Sequence, residues 1–286
     1  MSLRSILFML FILTAYVSAS DESLCDPSTS SCENPPFKPY ENVYVINLKS
    51  RPDRLAFMRD ILNEINQPFI RFEAYNGKEL YALCNKYPSS FLHPKIAYSC
   101  EDFIRDHAEK KCKDAEIGCW LSHLKVFIDI VENYEKTGND NPSIILEDDI
   151  DMDVNFKELV NQSLMDLPSD WEVFHPGWFY PHNIQRIKPN IAFAPHFTGA
   201  FAYVVRNAQA AKKLISYANM TTCQLADYYN LKHVESGELK SYIAFPQQYV
   251  SFFSQLGTDL DNPKEGPGWI ARLKDSTLYK IINKRK

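Results

Sequence analysis

Apolar positions follow strand-like runs and helix-like periods along most of the chain. Residues 43–48 (VYVINL) form a short apolar run, rich in β-branched side chains, that predicts a buried strand. Helical periodicity follows over about 54–65, and a second strand is predicted at 69–72. This β-α-β opening predicts an α/β sheet whose loops at the strand ends carry the function.

The clearest helical pattern covers 118–134, where apolar residues recur at helical spacing and form one face. The polar segment 138–142 is predicted to end this helix. A short apolar run at 143–146 then predicts a buried strand that leads directly into Glu147-Asp148-Asp149. Two further strands are predicted at 171–175 and 201–205, and a helix at 207–218. Residues 76–114 are predicted to form an irregular segment with short helices.

The amino-terminal segment has the layout of a signal peptide. Arg4 precedes an apolar run over 6–17, and Val17-Ser18-Ala19 offers the small residues that signal peptidase prefers. The run is shorter than the roughly 20 apolar residues that span a bilayer, which favours cleavage over an uncleaved anchor. We therefore predict a signal peptide over 1–19, a linker or stem over 20–41 and a folded domain over 42–286, with no transmembrane segment in the mature chain.

Composition and cysteine usage agree with a globular protein of the secretory pathway, either in the endoplasmic reticulum or Golgi lumen or secreted. The 286 residues are 45% hydrophobic and 23% charged, which allows a substantial core. A net charge of -5 with scattered basic residues argues against a nucleic-acid partner. Seven cysteines without a Cys-x-x-Cys pair predict disulfides in an oxidising lumen. Candidate disulfide cysteines and N-glycosylation sites are Cys25 with Cys32, the group Cys84, Cys100 and Cys112, and the asparagines Asn161 and Asn219.

Three consecutive carboxylates, Glu147, Asp148 and Asp149, follow the predicted strand at 143–146. Clustered anions repel each other, and a hard divalent cation such as Mg²⁺ or Mn²⁺ relieves that repulsion. Such a cation can also neutralise the charge on a leaving nucleoside diphosphate. The alternative is an acidic turn that caps the next element.

Four motifs, in this order, resemble glycosyltransferase family 25. They are VYVINLKSRPDR at 43–54, EIGCWLSH at 116–123, IILEDD at 144–149 and TGAFAY at 198–203. The family includes bacterial lipooligosaccharide galactosyltransferases and procollagen galactosyltransferases, and the resemblance extends over about 43–259. It implies an α/β, GT-A-type (Rossmann-like) domain that binds a nucleotide sugar. It further implies inverting, metal-dependent transfer of a hexose, such as galactose from UDP-galactose, to a glycan or glycoprotein.

The resemblance also implies roles for individual residues. Mn²⁺ or Mg²⁺ would be held by Asp149 with the help of Glu147. The general base would be Asp227 or, as a second candidate, Asp259, although either could be a helix cap or turn residue. The residues expected to bind the nucleotide sugar are Asn47, Arg51, Arg54, Ser122, His123, Glu147 and Asp148.

The arginines among these residues could bind a diphosphate bidentately or could pair with carboxylates at the helix end. Trp178, Phe179 and Tyr180 could offer a platform for a sugar, although aromatic side chains usually pack in cores.

Two departures from the family's animal collagen-modifying members argue against collagen as the acceptor. The chain has one transferase-sized domain, and its end, Asn283-Lys284-Arg285-Lys286, is not a retention signal of the Lys-Asp-Glu-Leu type. Two other functions compete with a transferase. A metal phosphoesterase would need further His and Asp motifs that the sequence lacks, and a catalytically inactive relative could act as a sugar-binding or adhesion module.

Overall fold

The computed structural model describes residues 38–90, 92–93, 95–218, 231–252, 273 and 276–284. The predicted opening unit is present as β1 (Asn42–Asn47), α1 (Pro52–Glu64) and β2 (Ile70–Glu73). β1 pairs in parallel with β2 on one side and with β3 (Ser143–Glu147) on the other. This arrangement confirms the predicted α/β, Rossmann-like fold.

These strands belong to an eight-stranded mixed sheet, in the order β2-β1-β3-β10-β5-β11-β8-β7. β10 lies antiparallel between β3 and β5, and β11 runs parallel to β5. The strands β1, β3, β5 and β11 therefore point the same way and end at one edge of the sheet. The strands of this sheet not yet given are β5 (Val173–His175), β7 (Gln185–Lys188), β8 (Ile191–Phe193), β10 (Ala202–Val205) and β11 (Ser241–Ala244).

Within the described ranges, two pairs of short strands and seven further helices surround this sheet. The pairs are β4 (Ile150–Met152) with β12 (Val250–Phe252), and β6 (Phe179–His182) with β9 (His196–Thr198). The helices are α2 (Gly77–Lys86), α3 (Cys100–Ala108), α4 (Asp114–Thr137), α5 (Phe156–Asp166), α6 (Ala208–Ala218), α7 (Leu231–Glu235) and α8 (Thr277–Lys284).

Apolar side chains fill both faces of the sheet. On β3, Ile145 belongs to one buried cluster together with Trp120 of α4, whereas Ile144 belongs to a second cluster with Met58 of α1 and Phe156 of α5. Adjacent strand residues point to opposite faces, so a continuous apolar run is what a strand covered on both sides requires. The sheet is thus the middle layer between helices.

The predicted irregular segment contains two capped helices. The Asn76 side chain accepts hydrogen bonds from the first turn of α2, and Ser99 forms a capping box with Asp102 at the start of α3. A disulfide joins Cys84 to Cys100, both buried. The predicted short helices and disulfide link are therefore confirmed in this segment.

None of the helices in the described ranges is both long and apolar enough to cross a bilayer. The predicted signal peptide and residues 20–37 of the predicted linker lie outside the described residues. Both segments stay predictions, as does the start of the folded domain at residue 42. Asn161 lies within α5, two residues before the fully buried Ser163. This is not the surface loop in which a glycosylation site is expected; Asn219 lies outside the described residues.

Candidate active site

The ends of β1 and β3 meet at the carboxyl edge of the sheet. Asn47 is the last residue of β1, and Glu147 is the last residue of β3. The Asn47 side-chain amide donates to Asp148 Oδ2 at 2.7 Å and to the Arg51 carbonyl oxygen at 2.9 Å. Its carbonyl oxygen accepts from Arg71 Nε at 3.1 Å. Asn47 therefore ties both strand ends to the start of α1.

Arg54 of α1 compensates two of the three carboxylates. Its Nη1 lies 2.9 Å from Asp148 Oδ1 and 3.0 Å from Asp149 Oδ2, and all three residues are buried. Burial raises the pKa of Asp148, while the hydrogen bond from Asn47 and the charge of Arg54 oppose this increase. The repulsion expected within Glu147-Asp148-Asp149 is thus relieved in part from within the chain.

Arg51 and Asp53 form an ion pair at the rim of this site. Arg51 donates from Nε and Nη2 to the two carboxylate oxygens of Asp53, at 3.0 and 2.9 Å. The hydrogen bond from Arg51 lowers the pKa of Asp53 to about 2. Because Asp53 is exposed and Arg51 only partly so, a diphosphate could compete with Asp53 for the guanidinium.

Glu147 faces α4 rather than Arg54. His123 Nε2 lies 3.2 Å from Glu147 Oε1, and Cys119 Sγ lies 3.8 Å from the same oxygen. One ligand atom from each of Cys119, His123 and Glu147 fits within 4.8 Å of the others, so the three side chains could hold a metal ion. On its other side, His123 Nδ1 lies 2.7 Å from the Tyr203 hydroxyl.

Ser122 connects α4 to the loop before α2. Its hydroxyl donates to the Gly118 carbonyl oxygen at 2.6 Å and accepts from the Tyr75 backbone N–H at 2.9 Å. A Cβ atom on Gly118 would lie 2.7 Å from the Tyr75 carbonyl oxygen. The glycine and the serine therefore let the helix approach this backbone closely, and a role for Ser122 in nucleotide binding stays a prediction.

His175 was missed by the interpretation of the sequence because it ends an otherwise apolar strand. Its ring packs edge-on against Phe197, with centroids 4.7 Å apart, and lies 5.7 Å from the Tyr203 ring. Burial lowers the pKa of His175 to about 3, so the ring is neutral at physiological pH. The signal that could have found it is its place at the end of a predicted strand, where α/β proteins bind ligands.

The three neighbouring aromatic residues have different environments. Trp178 Nε1 donates to the Ala244 carbonyl oxygen at 2.6 Å, and the Phe179 ring lies 4.9 Å from the Phe201 ring. Tyr180 is 58% exposed. Of the predicted platform, Tyr180 is the side chain that presents most of its surface to solvent.

The structure brings together Asn47, Arg54, Asp148 and Asp149, and it places His123 beside Glu147. Both candidates for the general base, Asp227 and Asp259, lie outside the described residues.

Comparison with known proteins identifies the family of the chain. The model for glycosyltransferase family 25, described as an LPS biosynthesis protein, matches residues 40–229. Procollagen galactosyltransferase 1-A of Xenopus laevis is 29% identical over 141 residues, which are 48% of this chain and 21% of that protein. Procollagen galactosyltransferase 2 of Homo sapiens is 21% identical over 266 residues, 84% of this chain and 38% of that protein.

A third relative, probable inactive glycosyltransferase 25 family member 3 of Rattus norvegicus, is 22% identical over 200 residues, 66% of this chain and 33% of that protein. The chain thus spans about a fifth to two fifths of the length of these relatives. The family model covers more than half of the chain. The chain therefore belongs to glycosyltransferase family 25.

Proposed function

We propose that the protein is a glycosyltransferase that moves a hexose, with galactose from UDP-galactose as the first candidate, onto a glycan or glycoprotein with inversion at the anomeric carbon. The proposal rests on one observation: Asn47, Arg54 and the carboxylates 147–149 meet at the carboxyl edge of the sheet. In α/β sheets, ligands bind at the carboxyl ends of strands. The galactosyltransferase names of two of the relatives support the choice of donor.

The donor diphosphate would bind at the rim formed by the first turn of α1. Arg51 offers a two-donor fork that Asp53 now occupies, and exchange of this carboxylate for a phosphate would preserve the bidentate geometry. Arg54 is engaged by two buried carboxylates, so its role would be to hold Asp148 and Asp149 in place. Asn47 would fix the backbone of the same turn through its bond to the Arg51 carbonyl oxygen.

Glu147 and Asp149 would hold Mn²⁺ or Mg²⁺. Carboxylate oxygens suit these ions, and the Glu147 side chain is 26% exposed, so a cation can reach it. Asp149 Oδ2 would have to share its charge between Arg54 and the cation. When bound, the cation would neutralise charge on the departing diphosphate.

The transfer step needs a base for the acceptor hydroxyl. As the new bond to the anomeric carbon forms and the bond to the diphosphate breaks, the hydroxyl proton would pass to a carboxylate. Asp227 is the first candidate and Asp259 the second. The exposed ring of Tyr180 would stack on an apolar face of a sugar.

We also place the protein in the lumen of the endoplasmic reticulum or Golgi, or outside the cell. The signal-peptide pattern at 1–19 supports this assignment. The Cys84–Cys100 disulfide also supports it, because disulfides persist in oxidising compartments.

The decisive experiment measures UDP binding and sugar release or transfer with a panel of UDP-sugars, with and without Mn²⁺. We expect UDP to bind and UDP-galactose to be turned over, with Asp149→Asn losing at least about 10²-fold in rate, the scale of one lost electrostatic contact in a transition state. Failure to bind UDP or to use any donor would refute the transferase. The name of the rat relative keeps an inactive sugar-binding protein as the second candidate, and UDP or glycan binding without turnover would favour it.

A further inference from the structure

Cys119, His123 and Glu147 combine a thiol, an imidazole and a carboxylate, a donor set that differs from an all-oxygen site. Oxygen ligands suit Mg²⁺ and Mn²⁺, whereas thiolate and imidazole suit Zn²⁺ and related transition ions. We propose that these three side chains form a binding site for a Zn²⁺-class ion, with a fourth position left for water or a substrate oxygen. The proposal does not depend on transferase activity, because the site is defined by its ligands alone.

The spacing of the ligand atoms fits a tetrahedral ion. Bonds of about 2.0–2.3 Å to zinc place neighbouring ligand atoms about 3.3–3.6 Å apart. The carboxylate oxygen of Glu147 lies 3.2 Å from His123 Nε2 and 3.8 Å from Cys119 Sγ. Two of the three separations are therefore within a few tenths of an ångström of the tetrahedral values, and the third, between the ligand atoms of Cys119 and His123, is at most 4.8 Å.

The ligands also stand on rigid elements. Cys119 and His123 are four positions apart on α4, so they lie on one face of a 24-residue helix. Glu147 ends β3, which is paired on both sides within the sheet. A site built on a helix and an inner strand keeps its geometry better than one built on loops.

A fixed partner orients the imidazole. His123 Nδ1 lies 2.7 Å from the Tyr203 hydroxyl, and Tyr203 is held in β10 in the middle of the sheet. In metal sites, the ring nitrogen that does not bind the ion usually has such a partner, which fixes the orientation of the ring. Nε2 is thereby directed at Glu147.

The cluster is accessible on one side. His123 is buried, whereas Cys119 is half-buried and the Glu147 side chain is 26% exposed. An ion could enter past these two residues, and its fourth ligand would lie at the sheet edge proposed for the donor. Glu147 would then be common to this site and to the Mn²⁺ or Mg²⁺ site proposed with Asp149.

Co²⁺ is the probe for this site, because a bound thiolate and a tetrahedral geometry each give it a distinct spectrum. The full-length chain, freed of metal by a chelator and kept without oxygen, is titrated with Co²⁺ in the absence of any nucleotide. We expect a thiolate-to-metal charge-transfer band and intense visible bands that saturate at one ion per chain. Zn²⁺ should abolish both signals, and a large excess of Mg²⁺ should not.

Variants of the ligands and of matched residues assign the spectrum. Cys119→Ser should lose the charge-transfer band, His123→Gln should lose saturable binding, and Tyr203→Phe should weaken affinity about 10–100-fold. The controls Asp149→Asn and His196→Gln, the latter at a histidine whose side chain is 42% exposed, should retain the complete spectrum. Thermal unfolding verifies that each variant is folded.

Weak, octahedral-type spectra from the wild-type chain, or a charge-transfer band that persists in Cys119→Ser, would overturn the proposal. A Co²⁺ spectrum that Asp149→Asn abolishes would instead assign the ion to the acidic cluster and also overturn it. The Co²⁺ titration contains no sugar donor or acceptor, so its outcome does not depend on whether the protein is a transferase. Likewise, failure to bind Co²⁺ at these residues would not refute UDP-sugar transfer, which is tested by its own assay.

Discussion

At the scale of single residues, Arg54 compensates the negative charge of the carboxylates that follow β3. Its guanidinium is buried between Asp148 and Asp149, which lie far from it in sequence. The sequence predicted all three residues at one site but assigned Arg54 to the nucleotide. Nothing in local spacing indicates that an arginine of the first helix pairs with carboxylates after the third strand, because that contact depends on how the strands are ordered.

Replacement of Arg54 tests this pairing. Arg54→Ala leaves two buried carboxylates without their cation, and we expect a loss of about 3–5 kcal/mol in the free energy of unfolding, measured with urea. Arg51→Ala is the matched control: its partner Asp53 is 55% exposed, so water can solvate the carboxylate left behind, and we expect a change within about 1 kcal/mol. Equal losses in the two variants would contradict the assigned role.

His175 gives the stability a dependence on pH. An unfolded histidine binds a proton near pH 6.5, whereas the pKa of folded His175 is about 3. Between these values the unfolded state binds more protons, so stability falls as the pH falls from about 6.5 towards 3. Phenylalanine does not bind a proton, so His175→Phe should reduce the difference in unfolding free energy between pH 7 and pH 5 by at most about 2 kcal/mol.

The measurement is urea unfolding at both pH values. His182→Gln, at an exposed position on β6, is the control for removing one histidine and should keep the wild-type difference. If His175→Phe also keeps the wild-type difference, burial of a neutral His175 ring is not the cause of the pH dependence.

At the scale of elements, α4 was predicted from its apolar period, and its residues Ser122 and His123 were assigned to the nucleotide sugar. The grouping of Cys119 and His123 with Glu147 was not predicted. The helix begins at Asp114, four residues before the predicted start, because the Glu116 carboxylate accepts from the Lys113 backbone N–H and caps the first turn. The sequence has no Cys-x-x-Cys pair, so its cysteines did not predict a metal site. The four-residue separation of Cys119 and His123 on a predicted helix was the signal that could have indicated a site.

Gly118 allows α4 to approach the loop before α2. In Gly118→Ala the new methyl group would lie 2.7 Å from the Tyr75 carbonyl oxygen and 2.8 Å from the Gly77 backbone nitrogen. Backbone cannot yield as a side chain does, so we expect a loss of about 1–3 kcal/mol in chemical unfolding. Glu135→Ala, at an exposed position of the same helix, should stay within about 0.5 kcal/mol. A neutral Gly118→Ala would show that the helix can move away without cost.

The disulfide between α2 and α3 stabilises the segment that showed poor periodicity. Removal of Cys84–Cys100 in a double alanine variant opens a loop with a sequence separation of 16 and should cost about 3 kcal/mol, measured as a lower melting temperature. Cys119→Ser serves as the control, because it replaces a cysteine without breaking a disulfide. Non-reducing peptide mapping should recover Cys84 joined to Cys100, and a different pairing would refute the assignment.

At the scale of the whole molecule, the site lies at the carboxyl edge of the sheet, where residues from separate parts of the sequence meet. The sequence predicted β1 and β3 as continuous apolar runs, and it predicted that function would lie where they end. It could not predict that β10 enters the sheet between β3 and β5, because strand order is a long-range property. Tyr203 stood within a recognised motif, yet its place between His123 and His175 depends entirely on that insertion.

The position of β10 also determines when the sheet can be completed during synthesis. On a growing chain, β3 and β5 emerge before β10, and β11 emerges later still. Until residues 202–205 leave the ribosome, the facing edges of β3 and β5 have no strand to pair with. Unpaired strand edges are templates for aggregation, and contacts between distant parts of a chain form slowly. Nascent chains that end between β5 and β10 should therefore depend most on chaperones, because at that stage β3 and β5 both have an edge whose partner strand has not been made.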